Sequence, residues 1–509
     1  MGKYVTLIEI GKKQNYIFSS NRLAENVGAS LIIKRATEQD TQEAYQALSP
    51  DVIYEGGGNA LYVFKSKEDG MCFAKEYSKR ILENYPGITL YLVGEEVAPG
   101  SSVKETLSIC YELLAKKKNE RKNAGGVIDF GGTVRCDSTN LPAVSYEKDR
   151  LPDDLNNRPL SSEALIKYEN SIKGNLIQPP QGYRFPRLLD ELGRSDGEKS
   201  YIAVVHIDGN QMGNKIRNFN ENMIQDAGES MDDFDKRYAQ KLGELSRAIR
   251  EKYEEAFREM VDHLVERLEC DEKLQKSLNL KAGNLPIRPL IIAGDDICFV
   301  SDGRIGVELA RVFIENIQKK EIKGIPLNAC GGVALVKTHY PFALAYELAE
   351  ELCQNGKDMI PEGQDASYLD WHLEQGELKS GLREIREDYI AEDNSLLTLK
   401  PFMITKDKNE LHGYPTFLEG IKIVQNSFGD TVPEGKDAVP RSKMKRYRDI
   451  LHKGKKIAEY YLKSNNIEGI FDRTDYHRGE SGFSKADETY YSLYYDAIEM
   501  ADLYISLGE

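Results

Sequence analysis

Two adjacent aspartates stand at the tip of a predicted β-hairpin in the middle of the chain. Residues 289–300 read PLIIAGDDICFV, with an apolar run on each side of the turn that carries Asp295 and Asp296. Gly294, just before them, adopts turn conformations that a residue with a Cβ resists. Carboxylates this close repel one another, so the pair is costly unless a proton or a cation neutralises it.

A third carboxylate follows another predicted strand. Residues 201–213 read YIAVVHIDGNQMG, so this strand ends on Asp208. If strand and hairpin are neighbours in one sheet, Asp208, Asp295 and Asp296 meet at one edge. Oxygen-only ligands suit Mg²⁺ or Mn²⁺, and two such ions about 3.5–4 Å apart are the usual apparatus for in-line phosphoryl chemistry. We therefore predict these three aspartates as catalytic residues and as ligands of two metal ions.

The order of the surrounding elements bears on this prediction, because an Asp-Asp pair alone is more often only a solvated turn. The strand that ends in Asp208 is followed by a long amphipathic helix over 231–269, the hairpin, a helix over 306–320 and a last strand over 327–336. This is the βαββαβ order, the plan of the palm of polymerases and nucleotide cyclases. It favours chemistry over a solvated turn.

The first hundred residues repeat the pattern. YVTLIEIG, from residue 4, matches YIAVVHID, from residue 201, at an offset of 197 residues. GGGNALYV, from residue 56, matches AGDDICFV, from residue 293, at an offset of 237. Matching order, spacing and pattern indicate a duplication.

The three aspartates have no acidic counterpart in this alignment, where Gly11, Gly58 and Asn59 take their places. We therefore expect the first copy to bind no catalytic metal. It is expected to supply half of a pocket, because Gly57 and Gly58 permit close backbone approach to a ligand. The alternative is a tight structural hairpin with no ligand.

Composition indicates a globular protein of several domains. The chain has 509 residues, of which 40% are hydrophobic and 30% charged. No apolar run approaches the ~20 residues that span a bilayer, and no secretion signal is evident, so we expect no membrane association. The seven cysteines are scattered without a C-x-x-C pair, which predicts a cytoplasmic protein with no zinc site. A net charge of −15 argues against a surface coated for nucleic acid but leaves room for a local basic groove.

These patterns predict an α+β chain of four parts. They are a first, degenerate palm (1–110), a small mixed domain (111–198), a second, catalytic palm (199–376) and a helical C-terminal domain (377–509), both palms being ferredoxin-like βαββαβ units. Lys357 follows a predicted helix end at Gly356, where it could lie over a triphosphate or only favour the helix dipole. Eight Arg and Lys residues between 441 and 456 form either a solvated helix face or a contact for RNA or phosphate.

The motifs resemble those of a known family. IDGNQMG at 207–213, AGDD at 293–296 and SYLDWH at 367–372, with QNYIFSSN at 14–21 in the first copy, are similar to the large polymerase-cyclase subunit of type III CRISPR effector complexes. The likeness covers nearly the whole chain. The chain would be a compact form, because we expect no HD nuclease domain before the first palm and no zinc ribbon.

The resemblance implies an ATP-using nucleotidyltransferase that releases pyrophosphate. Its product would be a second messenger in antiviral defence, a cyclic oligoadenylate or a related AMP conjugate. Asp208, Asp295 and Asp296 would hold two Mg²⁺ or Mn²⁺ ions. The implied partners are ATP, guide or target RNA and other effector-complex subunits, or further copies of this chain if it acts alone. The residues predicted to bind nucleotide are Gly209, Asn210, Gly213, Gly294, Lys357, Gly57 and Gly58.

Two other functions stay open at this stage. The usual Gly-Gly-Asp-Asp begins here with Ala293, whose methyl group could crowd a nucleotide, and this favours a catalytically inactive RNA-binding or scaffold subunit. A cyclase of the GGDEF type is less consistent with the chain, because Glu and Phe do not follow Asp296 and a second palm is present.

Overall fold

A computed structural model describes residues 2–120, 131–146, 158–193, 200–376, 381–428, 439–471, 482–486 and 488–508. Two larger sheets, of four and six strands, organise the chain, and helices pack on both. The prediction of an α+β chain is confirmed. Among the described helices, none is both long and apolar enough to cross a bilayer.

The first sheet has the strand order β2-β3-β1-β4, and its neighbouring strands are antiparallel. Its apolar side chains alternate between two cores, as the period of a strand requires: Ile8 and Ile10 of β1 face one, and Val5 and Leu7 the other. The elements are β1 (Tyr4–Gly11), α1 (Lys13–Ile17), α2 (Leu23–Tyr45), β2 (Asp51–Gly56), β3 (Asn59–Phe64), α3 (Lys67–Asn84) and β4 (Thr89–Glu96).

The next helix, α4 (Val103–Glu120), covers the second face of this sheet. Its buried residues Leu107, Cys110 and Leu114 share a core with Leu7. The boundary expected at residue 110 therefore falls inside a helix that packs on the first sheet.

The segment between the two large sheets packs against the first. It contains β5 (Ser145–Tyr146), β6 (Pro159–Leu160) and α5 (Ser162–Ser171). A methyl group on Gly28 of α2 would lie 1.6 Å from the carbonyl oxygen of Lys167, so only glycine permits this contact of α2 with α5. The buried Lys167 ammonium donates to Tyr16 O at 2.6 Å and to Ser19 Oγ at 2.8 Å, which ties α5 to α1.

The second sheet has the order β14-β13-β12-β7-β9-β8, in which β14 is Phe402–Met403 of the C-terminal part. Its part β12-β7-β9-β8 repeats the order of the first sheet, and β13 extends it by pairing parallel to β12. The elements are β7 (Tyr201–Gly209), α6 (Met212–Asn222), α7 (Met231–Cys270), α8 (Glu272–Leu278), β8 (Ile287–Ala293), β9 (Asp296–Asp302), α9 (Gly306–Gln318), β10 (Glu321–Ile322), β11 (Ile325–Pro326), β12 (Ala329–Lys337), α10 (Phe342–Asp358) and β13 (Tyr368–Leu373).

One helix end differs from the prediction. The polar stretch after Gly209 forms the helix α6. α10 continues through Gly356 to Asp358. A methyl group on Gly356 would lie 3.1 Å from Tyr368 Cβ, so this glycine allows the helix to approach β13 closely. The long helix predicted over 231–269 is present as α7, where the Ser230 hydroxyl accepts from Asp233 N at 3.2 Å and caps the N-terminus.

The C-terminal part is mostly helical but ends in a β-hairpin and a short helix. The run ETYYSLYYDAIEMADLYISL at 488–507 has helical apolar spacing, whereas its residues Thr489–Ser492 form β16, because consecutive tyrosines favour a strand. The elements are α11 (Leu382–Glu387), β14 (Phe402–Met403), α12 (Tyr414–Asn426), α13 (Arg441–Leu451), α14 (Lys455–Ser464), α15 (Glu468–Phe471), β15 (Phe483–Ala486), β16 (Thr489–Ser492) and α16 (Tyr495–Met500).

Candidate active site

The strand and the hairpin lie side by side, so the predicted carboxylates are neighbours. In the antiparallel pair of β7 with β9, Asp208 stands directly opposite Asp296. Asp296 in turn pairs with Ala293 of β8, which leaves Gly294 and Asp295 as a two-residue turn. Gly294 has φ +70°, a backbone conformation that residues other than glycine rarely adopt.

The three carboxylates approach this edge from two faces of the sheet. Asp208 and Asp296 share the face covered by α10, as cross-strand partners do. Asp295 lies over Gly209 instead: a methyl group there would lie 2.8 Å from Asp295 Cβ and 2.4 Å from Tyr253 Oη of α7. Gly209 is therefore required for packing, because no side chain fits between Asp295 and Tyr253.

Burial and mutual repulsion raise the pKa of both hairpin carboxyls to about 7, with burial the larger cause and Asp208 the next. Asp296 Oδ1 is buried and has no hydrogen-bond partner among the described residues. His206 Nδ1 lies 3.6 Å from it, but burial lowers the pKa of His206 and so disfavours its cationic form. Among the described residues, neither hairpin carboxyl forms an ion pair with a lysine or arginine, and Lys13 and Lys357 only lower the pKa of Asp296 as more distant charges.

Lys357 neutralises the third carboxylate. It lies in the last turn of α10, where its ammonium donates to Asp208 Oδ2 and, at 3.3 Å, to the carbonyl oxygen of Gly209. The lysine predicted to lie over a triphosphate thus stands at the same sheet edge, but it contacts Asp208.

The donor chemistry of this edge fits Mg²⁺ or Mn²⁺. All three groups are oxygen donors, Asp296 Oδ1 has no hydrogen-bond partner among the described residues, and a bound cation would favour the ionised form of the carboxyls whose pKa burial raises. The described part of the chain nevertheless holds no cluster of three ligands already assembled around one point. Asp208, with its partner Lys357, and Asp295, on the opposite face, would have to turn toward Asp296.

The other predicted nucleotide-binding residues fall into two groups. Gly213 and Gly294 border open space, where a ligand could approach. Asn210 is only 1% exposed, and its Nδ2 donates to Ala366 O at 2.7 Å and to Asp365 Oδ1 at 3.2 Å. This asparagine therefore fixes the turn between β7 and α6, and it offers a nucleotide little surface.

A cavity of about 390 Å³ lies between the two hairpin turns. A methyl group on Gly57 would lie 3.1 Å from Ala293 Cβ, so the turns touch at this point. The methyl group of Ala293 thus packs against the first hairpin. The cavity has a polar part and an apolar part, and its lining includes Glu9, Lys13, Tyr54, Tyr111, Asp295 and Asp296.

Lys13 fixes the first hairpin at the cavity. Its Nζ donates to Gly57 O at 2.8 Å, and Gly58 N donates to Thr37 Oγ1 at 3.2 Å. Gly57 and Gly58 have φ +60° and +85°, so both need glycine. A side chain on Gly58 would also meet Lys13 Cδ at 2.6 Å. The first hairpin is therefore a rigid wall of the cavity.

The register of the first sheet corrects the alignment of the two copies. Glu9 of β1 stands opposite Asn59, as Asp208 stands opposite Asp296. The residue before the following helix is left-handed in both copies, Lys12 with φ 54° and Gln211 with φ 55°, which fixes the offset at 199 residues. The counterpart of Asp208 is therefore Glu9 and not Gly11, and the expectation that the first copy lost every carboxylate is wrong.

The lysine is also duplicated. Lys118 of α4 bonds Glu9 at 2.6 Å, and Lys357 of α10 bonds Asp208. Both helices follow the last strand of their βαββαβ unit and cover the same face of their sheet. A carboxylate–lysine pair is thus common to both copies, whereas the hairpin carboxylates are present in the second copy and absent from the first.

Comparisons with known proteins give the fold. No family model matches the chain, and no curated protein matches it. A Csm1–Csm4 cassette crystallised with cA4 matches at 14% identity and TM-score 0.54, covering 98% of this chain and 70% of that one. A cassette with pppApApA matches at 12% identity and TM-score 0.55, covering 99% of this chain and 69% of that one. Csm1 from T.onnurineus matches at 13% identity and TM-score 0.50, covering 92% of this chain and 64% of that one.

The match extends over the described sheets and the C-terminal part together, since nearly the whole chain is covered. The Csm1 chains are longer, and this chain spans about two thirds of their length. The resemblance to the polymerase-cyclase subunit is confirmed at the level of structure: this chain has the fold of Csm1.

Proposed function

We propose that the chain is a metal-dependent nucleotidyltransferase that uses ATP to make an adenylate second messenger, either a cyclic oligoadenylate or a related AMP conjugate. The two βαββαβ units would be two palm domains with the nucleotides between them. The second palm would carry the chemistry in antiviral defence.

One observation carries this proposal. The register places Asp208 opposite Asp296 at a sheet edge that borders the cavity between the hairpins, and Asp296 Oδ1 is buried there with no hydrogen-bond partner among the described residues. Burying an unpaired carboxylate oxygen is costly. A bound cation would remove that cost.

Asp208 and Asp296, together with Asp295, would hold the two metal ions. Such ions, when bound, supply activation of a ribose hydroxyl and neutralisation of the pyrophosphate that leaves. The chain's own residues would do the rest. The ammonium of Lys357 would move from Asp208 to the phosphates, since it already stands at this edge. The rigid first hairpin would hold the acceptor nucleotide in place and limit the access of water.

The similar structures support this class of ligand. Csm1–Csm4 cassettes have been crystallised with cA4 and with pppApApA. We infer that the cavity of this chain accepts adenylates of the same kind. We also infer that a partner subunit comparable to Csm4 is available to it.

The test is a product assay on the purified chain. ATP is incubated with Mg²⁺ or Mn²⁺, with and without candidate activating RNA, and the products are identified by mass spectrometry. We expect pyrophosphate and oligoadenylates or an AMP conjugate, which disappear in Asp295→Ala/Asp296→Ala. A product that persists unchanged in this variant would contradict the proposal.

The second candidate function is a catalytically inactive scaffold that binds RNA. Two observations favour it. Lys357 forms an ion pair with Asp208, and the described part of the chain contains no group of three metal ligands already assembled around one point. The same assay separates the two functions. A scaffold would give no product with any metal or RNA, while its affinity for RNA would be unchanged in Asp295→Ala/Asp296→Ala.

A further inference from the structure

The most basic surface of this acidic chain lies on two C-terminal helices, α13 and α14. The structure divides the cations between 441 and 463 into two groups. The first group is paired with acids: Arg441 and Lys445, for example, contact Asp502 at 2.8 and 3.3 Å. These pairs have no evident need of a further partner.

The second group has no acidic partner in the described part of the chain. Lys443, Arg446, Lys456 and Lys463 form no ion pair with any residue that the structure describes. Arg446, Lys456 and Lys463 are exposed, and Lys443 is half-buried. In a chain with a net charge of −15, four unpaired cations on two adjacent helices are a local reversal of charge.

An exposed aromatic ring lies among these cations. Positions 456, 460 and 463 are spaced i, i+4 and i+7, so Lys456, Tyr460 and Lys463 form one stripe along α14. Ala458 and Leu462 of the same helix face the core. The ring of Tyr460 is 73% exposed, so it contributes little to the packing of the helix on which it stands.

The two helices are held side by side by another tyrosine. The Tyr461 hydroxyl donates to Lys443 O at 3.1 Å, and its ring stacks on Tyr447 at 6.1 Å between centroids. Lys443 and Arg446 are spaced i and i+3 on α13, so they lie on the same side of that helix, next to Tyr461 of α14. The cations of α13 therefore border the stripe on α14.

From this combination we propose that the α13–α14 surface, defined by Lys443, Arg446, Lys456, Tyr460 and Lys463, binds single-stranded nucleic acid. Cations that track a phosphate backbone beside an aromatic ring that stacks on a base are the usual means of binding single strands. A duplex offers phosphates but few free base faces, and an acidic protein offers carboxylates but no base. The exposed Tyr460 thus favours a single strand over either.

This proposal does not depend on the proposed enzymatic activity, because the α13–α14 surface contains none of the candidate active-site residues. Its test requires neither ATP nor metal. Fluorescence anisotropy of the full chain is measured with labelled single strands of about 20 nucleotides, RNA and DNA of the same sequence, and with the matching duplex. Titrations at several salt concentrations report the phosphate contacts, since affinity falls with salt as cations engage phosphates.

Three variants test which residues of the α13–α14 surface contribute to binding. Lys456→Glu/Lys463→Glu should weaken single-strand binding at least tenfold and lower the salt dependence, and Tyr460→Ala should weaken it about tenfold with the salt dependence unchanged. Arg441→Glu/Lys445→Glu is the matched control, with the same change of charge at cations that Asp502 already occupies. It should change the affinity less than threefold. All three positions on α14 are exposed, and circular dichroism checks that the variants remain folded.

Several results would overturn the proposal. One is the absence of single-strand binding by the wild-type chain, and another is an equal loss in the control, which would indicate non-specific attraction. A third result would be that poly-glutamate competes with the single strand for this surface and binds the Tyr460→Ala variant as tightly as the wild type. That result would indicate a surface for an acidic protein. Equal affinity for the duplex and the single strand would contradict stacking of a base on Tyr460. The titrations with RNA and with DNA show which single strand is preferred.

Discussion

The two βαββαβ units place a carboxylate and a lysine at the same point of the fold, yet they differ at the hairpin that faces this pair. The first unit has Glu9 with Lys118, and the second has Asp208 with Lys357. Opposite the first pair stands the uncharged Asn59, and opposite the second stands Asp296. The carboxylate–lysine pair is thus part of the shared scaffold, and a lone carboxylate at this edge does not predict chemistry.

The difference in charge explains the difference in electrostatics. The Glu9 carboxylate is paired with the Lys118 ammonium, so its charge is balanced. The second unit places two further carboxyls beside Asp208, and the pKa of each is raised to about 7. Three carboxyls close together, only one of which forms an ion pair with a lysine or arginine among the described residues, mark the second unit as the candidate metal site.

The largest expected effect comes from giving the second hairpin the residues of the first. Asp295→Gly/Asp296→Asn reproduces the turn Gly58-Asn59, removes both hairpin carboxylates and should lower product formation at least 1,000-fold, because no residue remains to hold the cations. Product formation is measured by mass spectrometry. Glu9→Gln is the control in the first unit and should cost less than tenfold. Comparable losses in both variants would break the distinction between the two units.

A second prediction compares the two lysines. Lys357→Met should raise the KM for ATP about tenfold and lower kcat, because this ammonium stands where phosphates are expected. Lys118→Met, the matched change in the first unit, should alter either parameter less than threefold. Steady-state kinetics over a range of ATP concentrations provides both values. If Lys118→Met had the larger effect on KM, the triphosphate would belong to the first unit.

A third prediction concerns pH. The pKa of each hairpin carboxyl is raised from its ordinary 3.8 to about 7, so ionisation destabilises the metal-free fold as pH rises from about 4, and the cost is complete above about 7. Asp295→Asn/Asp296→Asn should therefore be more stable than the wild type by several kcal/mol at pH 8 and nearly equal to it at pH 4. Chemical denaturation in EDTA at both pH values measures this difference.

The pH prediction has its own control. Saturating Mg²⁺ should stabilise the wild type at pH 8 and leave the Asn variant unchanged, since only the wild type offers carboxylates to the cation. If the two proteins differed in stability by the same amount at pH 4 and at pH 8, ionisation of the carboxyls would not destabilise the metal-free fold, and the prediction would be wrong.

The smallest expected effect compares the glycines of the two turns. Gly57→Ala combines a left-handed backbone, φ +60°, with a contact of 3.1 Å to Ala293 Cβ, and should cost about 2 kcal/mol. Gly294→Ala, with φ +70° and open space around it, should cost about 1 kcal/mol, from the backbone alone. Thermal unfolding of both variants checks the order. A larger cost at Gly294 would mean that the two turns do not touch.

Much of this site could be predicted from the sequence. Apolar runs on both sides of a Gly-Asp-Asp turn indicated the hairpin, and the strand ending in Asp208 indicated its neighbour, because burial and turn chemistry are local properties. The pairing of Glu9 with Asn59 could not be predicted in the same way. Offsets of 197 and 199 differ by two residues, which is the period of a strand, so both alignments leave the same side chains buried.

The faces and partners of the side chains also needed the structure. Adjacent residues at a strand end point to opposite faces, which separates Asp295 from Asp296 even though they are neighbours in the chain. The contact of Lys357 with Asp208 depends on α10 continuing past Gly356, where a glycine is used for close packing instead of for a helix end. Such long-range contacts leave no local pattern in the sequence.

Manganese binding, measured by electron paramagnetic resonance with a non-hydrolysable ATP analogue present, tests the central claim most directly. The account predicts that the wild type and Glu9→Gln bind Mn²⁺ alike, and that Asp295→Gly/Asp296→Asn loses this binding while remaining folded. Binding that is retained in the hairpin variant, or lost in Glu9→Gln, would contradict the assignment of the metal site to the second unit.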